Sequence, residues 1–399
     1  MLINLERLTK AMDDNHLDGL VSTTDANFYY LTGYSSDGLR QFVYDHQAYA
    51  VINREKPLAA LVVESQGLSN QYLDGREELA GIITYNRFYR PGPFLDVELD
   101  PWEVKLKEIG LITPAKSPVD GLVSALKRQG LEGKRIGLDE VNLKAGVLDK
   151  LKSELPTTIF VPASKLLVWV RKVKTDEERK RLVRANRVIE NAIRAAMAIV
   201  RDGVTEYEMF CEFNRSVGAQ GGQPAFSLIH FGRNAVAGET LPRSTSLTPG
   251  VPIWFDCGAR VDGYFSDIAR IGFLGEPMPR AAEMYKALLF GEDEAIRLTK
   301  PGMTGEDVFN LTLKACKDAG LTHYERHHLG HGIGLELYED VRIAPGVQEI
   351  VEEGTVVNIE TPYYEFGLGA LHVEDPYVVR ADGNQLLTTM DRGLIIVQD

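Results

Sequence analysis

From residue 253 the chain reads Ile-Trp-Phe-Asp-Cys-Gly-Ala-Arg-Val, then Asp-Gly, then Tyr-Phe-Ser-Asp-Ile-Ala-Arg. Two strand-like runs joined by Asp262-Gly263 predict a β-hairpin, because a two-residue turn needs residues that tolerate left-handed backbone. With that turn Asp256 falls opposite Ala269, and Asp267 lies two residues along on the same face. A slightly longer loop would put the two acids directly opposite each other. Diagonal neighbours sit roughly 7–8 Å apart at the backbone, within carboxylate reach of a shared ion. Facing carboxylates beside a core repel one another unless a cation holds them. The plainer reading, two solvated acids on a hairpin, stays open at this point.

A second pair of acids repeats the theme. Val356-Val-Asn-Ile-Glu360 and Leu371-His-Val-Glu374 both look like core strands that carry an acid near one end. Alternation places Glu360 on the face opposite Val357 and Ile359, and Glu374 on the same face as His372. Between the pairs lies His327-His-Leu-Gly-His331-Gly-Ile-Gly, whose glycines let the backbone pass close to a ligand or another strand. Five of the eight histidines fall between residues 323 and 372. Two Asp, two Glu and one His would form a hard, oxygen-rich site. Such a site suits Mn²⁺ or Co²⁺, with Zn²⁺ possible, and disfavours thiolate metals. Two ions close together can activate a water between them.

The remaining sequence limits the alternatives. A length of 399 residues suggests two or three domains. With 44 Lys+Arg against 57 Asp+Glu the net charge is −13, which argues against nucleic acid as a partner. The basic stretch Lys172–Lys174 runs into Asp176, Glu177 and Glu178 and reads as a solvated helix start. Cys211, Cys257 and Cys316 show no CxxC spacing, as expected in a reducing compartment. No apolar run reaches the ~18–20 residues that span a bilayer, so no membrane partner is expected. The start lacks a signal h-region, and the expected location is the cytoplasm.

Strands expected at 19–22, 48–52, 58–63, 136–139 and 158–161 alternate with helical stretches, the first at 5–17. They predict an α/β N-terminal domain over 1–165. Thr175 with Glu178, and Thr205 with Glu208, read as capping boxes that open helices running to about 200 and 219. Strands at 226–231, 253–257, 264–273, 355–360, 371–379 and 393–397, with helices at 280–299 and 305–319, predict an α+β C-terminal domain over 170–399.

The ordered set Asp256, Asp267, His331, Glu360, Glu374 resembles the metal pentad of the prolidase, aminopeptidase P and methionine aminopeptidase superfamily, the pita-bread fold. Residues 1–165 resemble its creatinase-type N-terminal domain, including Asn27-Phe-Tyr-Tyr-Leu-Thr-Gly33. Residues 170–399 resemble its catalytic domain, through Arg171-Lys-Val-Lys174, Asp256-Cys-Gly, His331-Gly-Ile-Gly and Val373-Glu-Asp375. The resemblance implies two divalent ions. Asp256 would chelate one, Asp267 and Glu374 would bridge, His331 and Glu360 would complete the set, and Glu360 would serve as general base. It also implies a homodimer or higher homo-oligomer.

Several positions depart from the family pattern. The His expected seven residues after the ligand His is Tyr338, and a second expected His is Glu239. Glu-Pro-Gly reads Glu360-Thr-Pro, and the Arg two residues before the last Glu is His372. Tyr338, either an oxyanion donor or a packed aromatic, and His327 join Glu360 as candidate catalytic groups. Glu239, His230, His328 and His372 are candidate substrate contacts. The implied activity is metal-dependent hydrolysis of an amide C–N bond in a small peptide or amide, as in an Xaa-Pro dipeptidase or an aminopeptidase P-like peptidase. A hydrolase of a non-prolyl or non-peptide amide or amidine, and a non-catalytic binding protein on the same fold, are the alternatives.

Overall fold

The structure, a computed structural model, describes residues 2–398. They form two compact units, Leu2–Arg171 and the chain from Lys172 onward. The division lies just past the 165–170 interval, because residues 164–172 form a helix with Leu167 and Val170 fully buried.

The first unit is built on β1 (Gly19–Ser22), β2 (Tyr49–Asn53), β3 (Lys56–Ser65), β4 (Gly81–Tyr85), β5 (Arg135–Leu138) and β6 (Ile159–Pro162). These make one six-stranded sheet in the order β4-β3-β2-β1-β5-β6. The sheet is mixed: β1 runs antiparallel to β2 and parallel to β5. The inner strands β1 and β2 and the Ala60–Val63 run of β3 are buried on both faces, so they read as continuous apolar runs rather than alternating ones. The Asn27–Leu31 segment lies in a buried helix, Asp25–Thr32, capped by Thr24.

The second unit holds an eight-stranded sheet. Its strands are β7 (Gln223–Phe231), β8 (Ile253–Val261), β9 (Tyr264–Leu274), β10 (Gly330–Gly332), β11 (Val356–Glu360), β14 (Glu374–Val378), β15 (Gln385–Leu386) and β16 (Ile395–Val397). The main order is β10-β11-β14-β9-β8-β7, with β15 on β14 and β16 on β9. A separate hairpin pairs β12 (Tyr363–Glu365) with β13 (Gly369–Leu371). Helices Asp176–Ala198 and Glu206–Ala219 start at the two capping boxes expected from the sequence. They share a core with Phe255, Cys257 and Ile268. Helices Pro279–Leu298 and Gly305–Asp318 share a second core with Val357, Ile359 and Tyr377. By strand parity all of these strand residues point away from Asp256 and Glu360. Among the described residues no helix is long and apolar enough to cross a membrane.

Two expectations need correction. The single strand over 371–379 is broken at His372-Val373. Leu371 pairs with Tyr363, whereas Glu374 pairs with both Glu360 and Ala269, so the chain steps from one sheet to another between them. Lys172 and Lys174 are not solvated: they are buried and pair with Glu352 at 2.6 Å and Glu339 at 2.7 Å. A Lys is kept buried only where such a partner offsets desolvation.

Candidate metal centre and active site

The Asp262-Gly263 turn has both residues at positive φ, 47° and 85°, as a two-residue hairpin turn requires. It sets Val261 opposite Tyr264, and therefore Asp256 opposite Ala269 and Gly258 opposite Asp267. Ala269 in turn pairs with Glu374, and Glu374 with Glu360. Asp256, Ala269, Glu374 and Glu360 thus form one row across four strands, on one face of the sheet. Two residues along, Asp267 extends that face from β9, and His331 lies opposite Asn358 on β11. Two glycines hold the His331 strand close. A Cβ at Gly330 would sit 2.3 Å from the Asn358 carbonyl oxygen, and one at Gly332 would sit 2.2 Å from that of Asp340.

Donor atoms converge in two groups, Asp267 with His331 and Glu374, and Asp256 with His372 and Glu374; within each, all lie within 4.8 Å of one another. His331 Nε2 is 3.6 Å from Asp267 and 4.0 Å from Glu374. Its Nδ1 faces the Gly332 carbonyl at 2.9 Å. A carbonyl only accepts, so Nδ1 carries a proton and Nε2 is the nitrogen turned toward the acids.

Burial, then repulsion from Asp267, Glu360 and Glu239, lifts the Asp256 carboxyl well above its ordinary range. Burial and the other three acids do the same to Glu374. Burial also raises Asp267, against the pull of His331. Glu360 is the exception: burial pushes it up, but His328 and His372 hold it below the usual carboxylate range.

The buried atoms Asp267 Oδ1, His331 Nε2 and both ring nitrogens of His372 have no hydrogen-bond partner. Unsatisfied lone pairs and mutually repelling carboxylates in one buried place are costly unless cations complete them. The residues present therefore fit divalent metal, with oxygen donors in the majority.

The acids floor a cavity of about 680 Å³ whose walls include Phe210, Phe226, Leu228, Phe265 and Tyr338. Tyr338 is 41% exposed and its ring stacks on His331, centroids 3.8 Å apart. Burial and the four acids raise its phenol far above the ordinary value, so it stays a donor. Glu239 is exposed and lines the cavity. His328 Nε2 lies 3.0 Å from Glu360 Oε1.

Other candidates lie apart from the acids. His327 is exposed, packs edge-on against His328, and does not line the cavity. His230 is fully buried between Glu206 and the Thr240 carbonyl, and stacks on Trp254. Both ring nitrogens are thus occupied by the protein's own groups. Glu206 collects the amides of Phe231 and Arg243 and the side chain of Asn234, and so fixes the loop after β7.

The sequence reading passed over Asn358, whose side-chain amide donates to Glu374 Oε1 at 2.7 Å. Alternation with Glu360 was the available signal. It also passed over Trp254, which stacks on His372 and carries no signal of its own.

The profile of metallopeptidase family M24 matches residues 180–381, and that of the creatinase/prolidase N-terminal domain matches residues 4–173. The chain is 25% identical over 399 residues to an Xaa-Pro dipeptidase of Lactobacillus delbrueckii subsp. lactis, covering 99% of each chain. It is 25% identical over 396 residues to an Xaa-Pro dipeptidase of Pyrococcus furiosus, covering 98% of this chain and 99% of that one. Among solved structures, an Xaa-Pro dipeptidase from Bacillus anthracis superposes with a TM-score of 0.78 at 24% identity, over 98% and 99% of the two chains.

Proposed function

The chain belongs to metallopeptidase family M24, and from that premise we propose an Xaa-Pro peptidase that uses two divalent ions held by Asp256, Asp267, His331, Glu360 and Glu374. What carries the reading is the convergence of three buried carboxylates, the half-buried Asp256 and an unpartnered imidazole nitrogen at the floor of one cavity. Ions bound there supply an activated water near neutral pH and polarise the scissile carbonyl. Mn²⁺ or Co²⁺ is favoured by the oxygen-rich donor set, with Zn²⁺ possible.

The chain's own groups divide the remaining work. Glu360, held ionised, accepts the proton of the attacking water, and His328 at 3.0 Å steadies the carboxyl that results. The Tyr338 phenol, still protonated at neutral pH, donates to the oxyanion as the carbonyl carbon becomes tetrahedral. Phe226, Leu228 and Phe265 exclude water and offer an apolar wall to a pyrrolidine ring. Glu239 attracts the cationic amino end of the substrate. A homodimer or higher homo-oligomer acting in the cytoplasm completes the proposal.

One observation favours a second mode. The described residues that line the cavity include acids but no Lys or Arg, so none of them pairs with a dipeptide's free carboxylate. Aminopeptidase P-like removal of the first residue from a longer Xaa-Pro peptide places that carboxylate elsewhere. The test is hydrolysis of an Xaa-Pro dipeptide and an Xaa-Pro-Xaa tripeptide by enzyme loaded with Mn²⁺, Co²⁺ or Zn²⁺. Metal-dependent cleavage supports the proposal, and a higher kcat/KM on the tripeptide selects the second mode. Two bound ions with no prolyl cleavage would remove the prolyl assignment.

A further inference from the structure

We propose that His372 is a ligand of the metal centre, so that each of the two ions receives one imidazole. The inference rests on the dinuclear reading above and adds to it a residue outside the pentad.

The ring of His372 is 1% exposed, and neither nitrogen has a hydrogen-bond partner. Nε2 lies 3.4 Å from Glu360 and 3.6 Å from Glu374, and Nδ1 lies 3.7 Å from Asp256. Two donors bound to one ion at about 2.1 Å, subtending about 110–120°, stand about 3.4–3.6 Å apart. These spacings are too long for hydrogen bonds and suited to shared coordination.

Two features of the fold hold the ring there. The break between β13 and β14 frees His372 from any strand ladder and aims it at the acid row. Trp254 then stacks on the ring, 6.4 Å between centroids and 23° between planes, which fixes its orientation. The donor groups divide evenly around Glu374: Asp267 with His331 on one side, Asp256 with His372 on the other. A second imidazole also moves metal preference from Mn²⁺ toward Co²⁺ and Zn²⁺.

The competing role is an imidazolium that neutralises the carboxylates without touching an ion. Proton NMR of the Co²⁺-loaded protein separates the two, because a metal-bound imidazole keeps one exchangeable N–H with a large hyperfine shift. Two such signals are expected in the wild type and one in His372→Ala. Titration calorimetry with Co²⁺ should show the weaker of the two ions losing at least about tenfold in affinity in the variant. The ratio of Zn²⁺ to Mn²⁺ affinity should fall with it.

A single shifted N–H in the wild type overturns the assignment, and that measurement needs no variant to fold. Two signals that persist in His372→Ala with unchanged affinity overturn it as well. A protein that binds two Co²⁺ with one imidazole sinks this inference alone, whereas one that binds no Co²⁺ sinks the dinuclear reading beneath it.

Discussion

Replacing Asp375 by Asn tests how the two halves of the acid row are kept in line. Arg270 and Asp375 are fully buried. The guanidinium donates to both carboxylate oxygens at 2.8 and 3.0 Å, and to the carbonyls of Ala269, Glu374 and Asp391. The pair therefore ties β9, which carries Asp267, to β14, which carries Glu374. The β9–β14 ladder itself registers one pair, Glu374 with Ala269.

Removing one partner of a buried ion pair costs about 3–5 kcal/mol, because the other charge stays buried without its counter-ion. At roughly 2–4 °C per kcal/mol for a unit of this size, the unfolding midpoint of Asp375→Asn falls by on the order of 10 °C. Calorimetric unfolding measures that drop, and ion titration of the same sample should show weaker binding as Glu374 drifts from Asp267. The double variant Arg270→Met with Asp375→Leu should recover much of the stability, since a well-packed apolar pair replaces the ion pair at little net cost. A loss below about 1 kcal/mol, or a double variant no better than the single one, would refute the reasoning.

Glu178 carries the pH prediction. Burial, and beyond it the Glu339 charge, raises its carboxyl to about 7, against the pull of the Thr175 amide, Lys174 and Tyr264. The folded state then prefers the protonated form, so this stability is full at acid pH and is lost as pH rises through 7. Glu178→Gln keeps the cap and should raise the midpoint at pH 8 by up to about 3 kcal/mol equivalent, with little change at pH 4; an equal shift at both would discredit the assignment. Glu360→Gln should lower kcat by about 10²–10⁴-fold with secondary structure intact, read by steady-state kinetics and circular dichroism. Tyr338→Phe keeps the stack on His331 and loses only the hydroxyl. A fall of about 10²-fold in kcat with ion affinity unchanged is expected, and unchanged kcat would return Tyr338 to packing.

Much of the centre was legible because strand chemistry is periodic. Asp262-Gly263 determines the register of the β8–β9 hairpin, and alternation assigns Glu360 to its face, so local rules suffice for three of the acids; Glu374 was aligned with His372 on a strand that the fold breaks between them. What local rules cannot supply is pairing between distant strands. Nothing near Ala269 says that its far neighbour is Glu374, and nothing near Leu371 says that its partner is Tyr363. For the same reason His372 reads as one more residue of a strand until the break between sheets is seen. Lys172 and Lys174 were misread because the acids next to them in sequence mattered less than Glu339 and Glu352, reached only through folding. The contact of His230 with Glu206, on a different element, was hidden from the sequence in the same way.

Ala269 sits between Asp256 on one neighbouring strand and Glu374 on the other, the smallest side chain in a row otherwise made of carboxylates. In the proposed centre its methyl group would border the gap that cations fill. Every additional carbon at that position takes volume from the cations while leaving all the ligands in place. In the proposed centre, room for metal would then depend on a residue that bears no charge, no lone pair and no proton to give.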